Sequence, residues 1–202
     1  MRVRPLIAVA AAATLLLSGC GDETEPDPAS EVHDEPVKGD EPITPRAVAA
    51  VALEHVPTDT FTRKPWTGEG QDANAVGADL DYHKWSGGLR VIVRPTTADP
   101  CAPFDGTLDG CESRDLDGGR LVVYWQELEI QEDPGILHVV MIRNDESVDV
   151  EWSGDEILGD PREQSLGVSV EDMEAVARDQ RISLTTSADV IELGEQLDDF
   201  DE

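Results

Sequence analysis

The sequence predicts an α+β domain, an antiparallel sheet of about five strands with one N-terminal and two C-terminal helices. Two observations carry that prediction. Apolar residues recur at helical spacing in the first and last parts of the folded region and at period two between them. Turn signals then divide the period-two stretch into hairpins. At 202 residues the chain has room for one domain with appendages.

The elements follow in order. Thr44 before Pro45 is an N-cap with proline at the first helical position, and Val48, Val51, Ala52 and Val56 keep helical spacing, so a helix is expected from Pro45 to His55. Phe61 to Asn74 shows no period and reads as a loop carrying Trp66. Leu80 and Tyr82 alternate with Asp79, Asp81 and His83, and across a Ser86-Gly87-Gly88 turn Leu89, Val91 and Val93 alternate with Arg90 and Arg94. That pattern is a hairpin. Leu121 to Ile130 and Ile136 to Arg143 flank Glu132-Asp133-Pro134-Gly135, whose Pro-Gly suits a type II turn and a second hairpin. Val148, Val150 and Trp152 give a fifth strand with one wet face. Toward the C-terminus, Ser169 and Asp172 form a capping-box pattern, Val168 and Met173 a staple, and Val170, Met173, Val176 and Ala177 one helical face. Thr186 and Asp189 repeat the cap ahead of Val190, Leu193, Leu197 and Phe200, with a short strand expected at Arg181 to Leu184.

Ahead of this region, Met1, Arg2 and Arg4 form a positive start, and Leu6 to Leu17 is an apolar run of twelve residues. A membrane span needs roughly 20, so the run fits a secretory signal. It ends in Leu17-Ser18-Gly19-Cys20, which resembles the lipobox of bacterial lipoproteins. The resemblance implies a signal peptide at residues 1–19 and a Cys20 that carries diacylglyceryl and palmitate-type acyl chains. Two chains at roughly 0.8 kcal/mol per buried methylene hold stably where one is marginal. The expected location is therefore the extracytoplasmic face of the cell membrane, lipid-anchored. With Cys20 lipidated, Cys101 and Cys111 remain as an even pair in an oxidising compartment and are expected to form a disulfide. Ser169 to Leu197 loosely resembles the C-terminal blocks of uncharacterised envelope lipoproteins of high-GC Gram-positive bacteria, a likeness that transfers no site residue.

Gly21 to Pro42 holds nine acidic residues, four prolines and only Val32 and Val37 as large aliphatics, too little apolar surface to fold. Residues 20–42 are expected to be the lipidated cysteine and an acidic tether reaching at most about 70 Å, and residues 43–202 a single domain. Across the chain, 44 acidic residues against 15 basic give a net charge of -29. Nucleic acid is excluded as a partner, because phosphate binding depends on Lys and Arg that release counterions.

Candidate sites are few. Asp79, Asp81 and His83 could hold a metal from one strand face, but turn registers that place Asp79 or Asp81 opposite Arg94 explain the carboxylates as cross-strand ion pairs. Asp105, Thr107, Asp109 and Gly110 match the first half of a calcium loop, with Asp115 and Asp117 nearby, yet the twelfth position is Leu116 where a bidentate Glu is required. Gly68-Glu69-Gly70 begins like a dinucleotide fingerprint and fails at Ala73. No Gly-x-Ser-x-Gly, His-Glu-x-x-His, Ser-x-x-Lys or phosphate loop is present. No catalytic, cofactor or metal residue is therefore assigned. His138 among Ile136, Val140 and Ile142 reads as a hydrogen-bonded core histidine, His55 as a helix C-terminal one, and Trp85, Trp125 and Trp152 as core; Trp66 is the tryptophan that points toward binding. The expected function is a binding or accessory module of the envelope, contacting protein or polymer. A structural, charge-bearing envelope protein is the alternative, with an enzyme behind both.

Overall fold

In the computed structural model, which describes residues 39–68, 74–83, 87–96, 100–101, 108–128 and 134–201, the Thr44 hydroxyl accepts the Ala47 N–H at 3.2 Å and opens the first helix, α1 (Pro45–Ala52). The helix stops three residues short of His55, and Leu53 to His55 continue as turn. Ahead of it, β1 (Glu41–Pro42) belongs to the fold rather than to the expected tether. It pairs with β9 (Thr185–Thr186), which replaces the short strand expected at Arg181 to Leu184.

The main sheet has seven strands, two more than the alternation predicts. They are β2 (Thr60–Pro65), β3 (Val76–Tyr82), β4 (Gly87–Pro95), β5 (Gly110–Leu116), β6 (Gly119–Gln126), β7 (Ile136–Ile142) and β8 (Glu146–Ser153). Their spatial order is β2-β3-β4-β8-β7-β6-β5, and every neighbouring pair is antiparallel. The two additional strands, β2 and β5, are the sheet edges. Gly135 has φ +92°, a backbone conformation that favours glycine, while Glu132 and Asp133 of the expected turn lie outside the described residues.

Alternation sorts the sheet into two faces. Leu80, Leu89, Val91, Val139, Val148, Val150 and Trp152 face the helices and are buried. Here α2 (Val170–Arg178) packs on β7 and β8, capped as expected by Ser169, whose hydroxyl accepts the Asp172 N–H at 3.1 Å. The third helix, α3 (Ala188–Glu195), packs on α1 instead of on the sheet. That second cover is why α1 is buried from Ala47 through Ala52 and not only on one stripe. Ser187, not Thr186, precedes α3, and the Thr186 hydroxyl donates to the Arg181 carbonyl at 2.9 Å. The α+β class, the three helices and the antiparallel sheet stand; the strand count and these boundaries are corrected. All described residues lie in one compact unit. No helix among them is long and apolar enough to cross a membrane.

Candidate functional site

The face of the sheet turned away from the helices carries the polar side chains. Register places Lys64, Asp79, Arg90, Glu151, His138, Tyr124 and Cys111 in one straight row across all seven strands. Signs alternate along its first half. Arg90 donates to Asp79 at 2.8 Å and to Glu151 at 3.1 Å, and Lys64 reaches diagonally to Asp81 at 3.0 Å. Burial works against the Arg90 charge, but its hydrogen bonds and the fields of Asp79 and Glu151 outweigh it and raise the guanidinium pKa further. In the second half, Asp149 bridges Arg94 at 2.8 Å and His138 Nδ1 at 2.9 Å, and the His138 ring stacks on Tyr124 with centroids 4.4 Å apart. Burial, reinforced by the Asp149 charge, pushes the Tyr124 phenol well above its ordinary range.

Over the β3-β4-β8 end of this row lies an open cavity of about 640 Å³ whose walls include Lys64, Asp79, Asp81, His83, Arg90 and Glu151. Gly88 forms part of its floor opposite Asp81, and a Cβ there would come within 3.1 Å of Asp81 Oδ1. The missing side chain thus leaves the space that Asp81 leans into and keeps the cavity open.

This geometry settles where the sequence-predicted residues lie. Asp79 and Asp81 do share a face, but neither stands opposite Arg94: Asp79 faces Arg90, Asp81 faces Gly88, and Arg94 pairs with Ser147 on β8. Ser86 lies outside the described residues, and Gly87 and Gly88 are strand, not turn, which moves the partner of Asp79 by four residues from Arg94, or that of Asp81 by six. Each carboxylate is held by a cation, and among the described residues no group of three His, Cys, Asp or Glu is arranged to hold a metal ion.

The calcium-loop candidates do not converge. Asp105 and Thr107 lie outside the described residues. Asp109 accepts the Glu127 N–H at 2.7 Å at one end of β5, whereas Asp115, paired with Arg120 at 3.2 Å, lies at the other end, with Asp117 just beyond it. Six residues of strand at about 3.3 Å each separate Asp109 from Asp115 by roughly 20 Å, too far to share an ion. Cys101 and Cys111 are joined as a disulfide with Cα atoms 5.8 Å apart.

His138 is not in the main core. It sits on the opposite face, bonded to Asp149. His55 hydrogen-bonds Asp179 at 2.8 Å. Trp125 and Trp152 are buried as expected, with Trp152 donating to Asp155 at 3.1 Å, while the Trp125 indole N–H has no partner among the described residues. Trp66 is half-buried beside Gly68, the one residue of the rejected dinucleotide pattern that is described, and Trp85 lies outside the described residues.

A second polar cluster, unforeseen from the sequence, lies on the helix side. Arg143 donates to the carbonyls of Ile182 at 2.6 Å, Asp179 at 2.8 Å and Ala177 at 3.3 Å, and pairs with Glu146 at 3.1 Å. Burial alone would raise the Asp179 carboxyl, but Arg181 and His55 outweigh it and hold the pKa below its ordinary value. These bonds tie the C-terminal end of α2 to the β7-β8 turn, so the cluster is read as structural.

Of the outer row, the sequence showed Arg90, Arg94, Asp149 and Glu151 only as the wet positions of alternating strands. Arg90 meets Glu151 and Arg94 meets Asp149 across β4 and β8, strands far apart in the chain. No family model, curated protein or solved structure matches this chain.

Proposed function

We propose that this chain is a lipid-anchored extracytoplasmic lipoprotein, attached through acyl chains on Cys20, whose domain serves as a binding or accessory module of the cell envelope. The observation that carries the proposal is the coincidence of Arg2 and Arg4, the twelve-residue apolar run and Leu17-Ser18-Gly19-Cys20 in one N-terminal segment. The surface we assign to partner contact is the cavity over β3, β4 and β8. Its walls carry both signs of charge within hydrogen-bond reach of one another, which suits a polar protein segment or envelope polymer better than an apolar ligand. A second reading, a structural charge-bearing protein without a specific ligand, is favoured by the same pairs being satisfied internally.

Two measurements test this. Cys20→Ala should abolish acyl labelling and leave the chain unprocessed, and continued labelling of that variant overturns the anchor. The detergent-solubilised full chain should be retained saturably on isolated envelope and released by excess free chain, and Arg90→Ala should lose that retention while staying folded. Unsaturable retention, unchanged in Arg90→Ala, leaves the structural reading instead.

A further inference from the structure

The two edges of the sheet are finished differently. At the β2 edge, the register breaks between Thr60 and Thr62, Pro65 ends the strand, and the Asp201 N–H donates to the Arg63 carbonyl at 2.8 Å. A bulge, a proline and a docked tail are standard ways to close an edge to other strands. Among the described residues the β5 edge carries no such device: its seven residues hold unbroken register with β6, and Glu112, Ser113, Arg114 and Asp115 are all exposed.

The phase of its free backbone groups follows from the hairpin. Asp117 and Gly118 form a two-residue connection closed by the Leu116 and Gly119 pair, and a pair closing so short a loop exchanges hydrogen bonds. Alternation then turns Gly110, Glu112, Arg114 and Leu116 toward β6, and the Asp109 N–H to Trp125 carbonyl bond beside the Gly110 and Trp125 pair fits that phase. The N–H and C=O groups of Cys111, Ser113 and Asp115 point outward.

We propose that the β5 edge is a self-association surface on which a second copy of this chain adds its own β5 antiparallel, with Ser113 opposite Ser113 on a two-fold axis. The register is written in the side chains. With Ser113 on the axis, both Ser113 residues offer outward N–H and C=O groups to each other, and Glu112 of each copy faces Arg114 of the other. Those two positions are non-hydrogen-bonded pairs, where side chains stand closest. A shift by two residues in either direction brings Glu112 onto Glu112 or Arg114 onto Arg114. A shift by one puts the backbone groups out of phase. Charges on an edge ordinarily guard it against pairing; the order Glu-Ser-Arg makes that guard admit one arrangement. Within one copy Arg114 pairs with Glu174, and Glu112 lies 3.1 Å from Arg162. Across the axis these pairs join into a chain of alternating sign, Glu174, Arg114, then Glu112 and Arg162 of the second copy. Such an interface is isologous and closes at two copies.

The test is the mass of the detergent-solubilised full chain as its concentration is varied. Wild type should dimerise. Glu112→Arg and Arg114→Glu should each weaken self-association at least about tenfold, because every reversal acts twice across the axis. Mixed in equal amounts, the two variants should form a heterodimer, since their charges are complementary to each other and not to themselves. Ser113→Pro removes an outward N–H without touching the β5-β6 ladder, and should be monomeric with a melting temperature near wild type. A wild-type chain that stays monomeric at every concentration overturns the proposal. So does a folded Ser113→Pro chain that dimerises like wild type, or a failure of the two charge variants to pair with each other.

Discussion

The two faces of the seven-stranded sheet alternate along the same strands and are held by different physics. On the helix side, Trp152, Leu80, Leu89 and Val150 are fully buried against one another and the helices, and stabilisation comes from removing apolar area from water. On the other side Ile92, Val122 and Val140 are buried too, but outside the main cluster and among Arg90, Arg94, Asp149, Glu151 and His138. A face that no described helix covers keeps its charges paired in place. Changes on the first face should therefore act through volume, and changes on the second through the partners left behind.

The largest effect separating them is expected from Trp152→Ala. It removes a side chain with no exposed surface that meets Tyr82 edge-on at 5.7 Å, and should cost about 3 to 5 kcal/mol in a denaturant titration. A loss under about 1 kcal/mol there means that the helix-side core does not hold the fold as described.

Asp149→Ala is the counterpart on the polar face. It strips both Arg94 and His138 of their shared carboxylate while those side chains are 22% and 13% exposed. The expected cost is about 2 kcal/mol, less than for a fully buried pair because water reaches the site. The replacement should hurt more than Asp149→Asn, which keeps an acceptor for one of the two partners. Equal losses in the two variants dissolve the distinction between the faces.

The chain's two tyrosines sharpen the comparison, since Tyr82 belongs to the helix side and Tyr124 to the other. Burial is the main cause of a raised pKa for both, aided by Asp59 at Tyr82 and by Asp149 at Tyr124. A raised folded-state pKa contributes stability that is complete below the unfolded phenol value of about 10 and is lost as pH rises beyond it. Phenolate absorbance should stay flat through pH 10 in the folded chain and appear only together with unfolding. One phenol ionising near pH 10 while the fold persists assigns that tyrosine to a wetter site.

The smallest effect is expected from Lys64→Ala. Its ion pair with Asp81 joins side chains 45% and 29% exposed, and such pairs contribute at most about 1 kcal/mol. A melting curve should move little. A large shift means that the outer row acts as one network rather than as separate pairs.

Much of this architecture was legible because it rests on one-sided apolar patterns. Thr44-Pro45 and Ser169 mark helix starts by local chemistry, β3, β4 and β8 alternate apolar with polar residues, and β6 and β7 are apolar runs on either side of a turn signal, so all five are visible. The edge strands are different. In β5, Glu112 and Arg114 face the helix side and find Arg162 and Glu174, and in β2 Arg63 turns the same way and donates to the Asp198 carbonyl at 2.9 Å. A charged residue in an inward position erases the period, and no reading of spacing alone recovers such a strand. The register of β3 on β4 was missed for another reason. Two adjacent glycines read as a turn, while at Gly87 the absent Cβ lets the Ser153 carbonyl come close within the sheet.

By itself, then, the sequence determined the class of fold, the caps of the first two helices, the five inner strands and the partner of Cys101, because each depends on local propensity or on simple pairing. Only the tertiary structure decided which carboxylate meets which cation, that His138 stacks on Tyr124 away from the main core, and that the Asp201 backbone docks on the β2 edge. Those outcomes depend on strand order, and strand order joins residues such as Arg90 and Glu151 that stand 61 positions apart. Contacts of that reach are set by how whole elements pack, and nothing in the neighbouring residues encodes them.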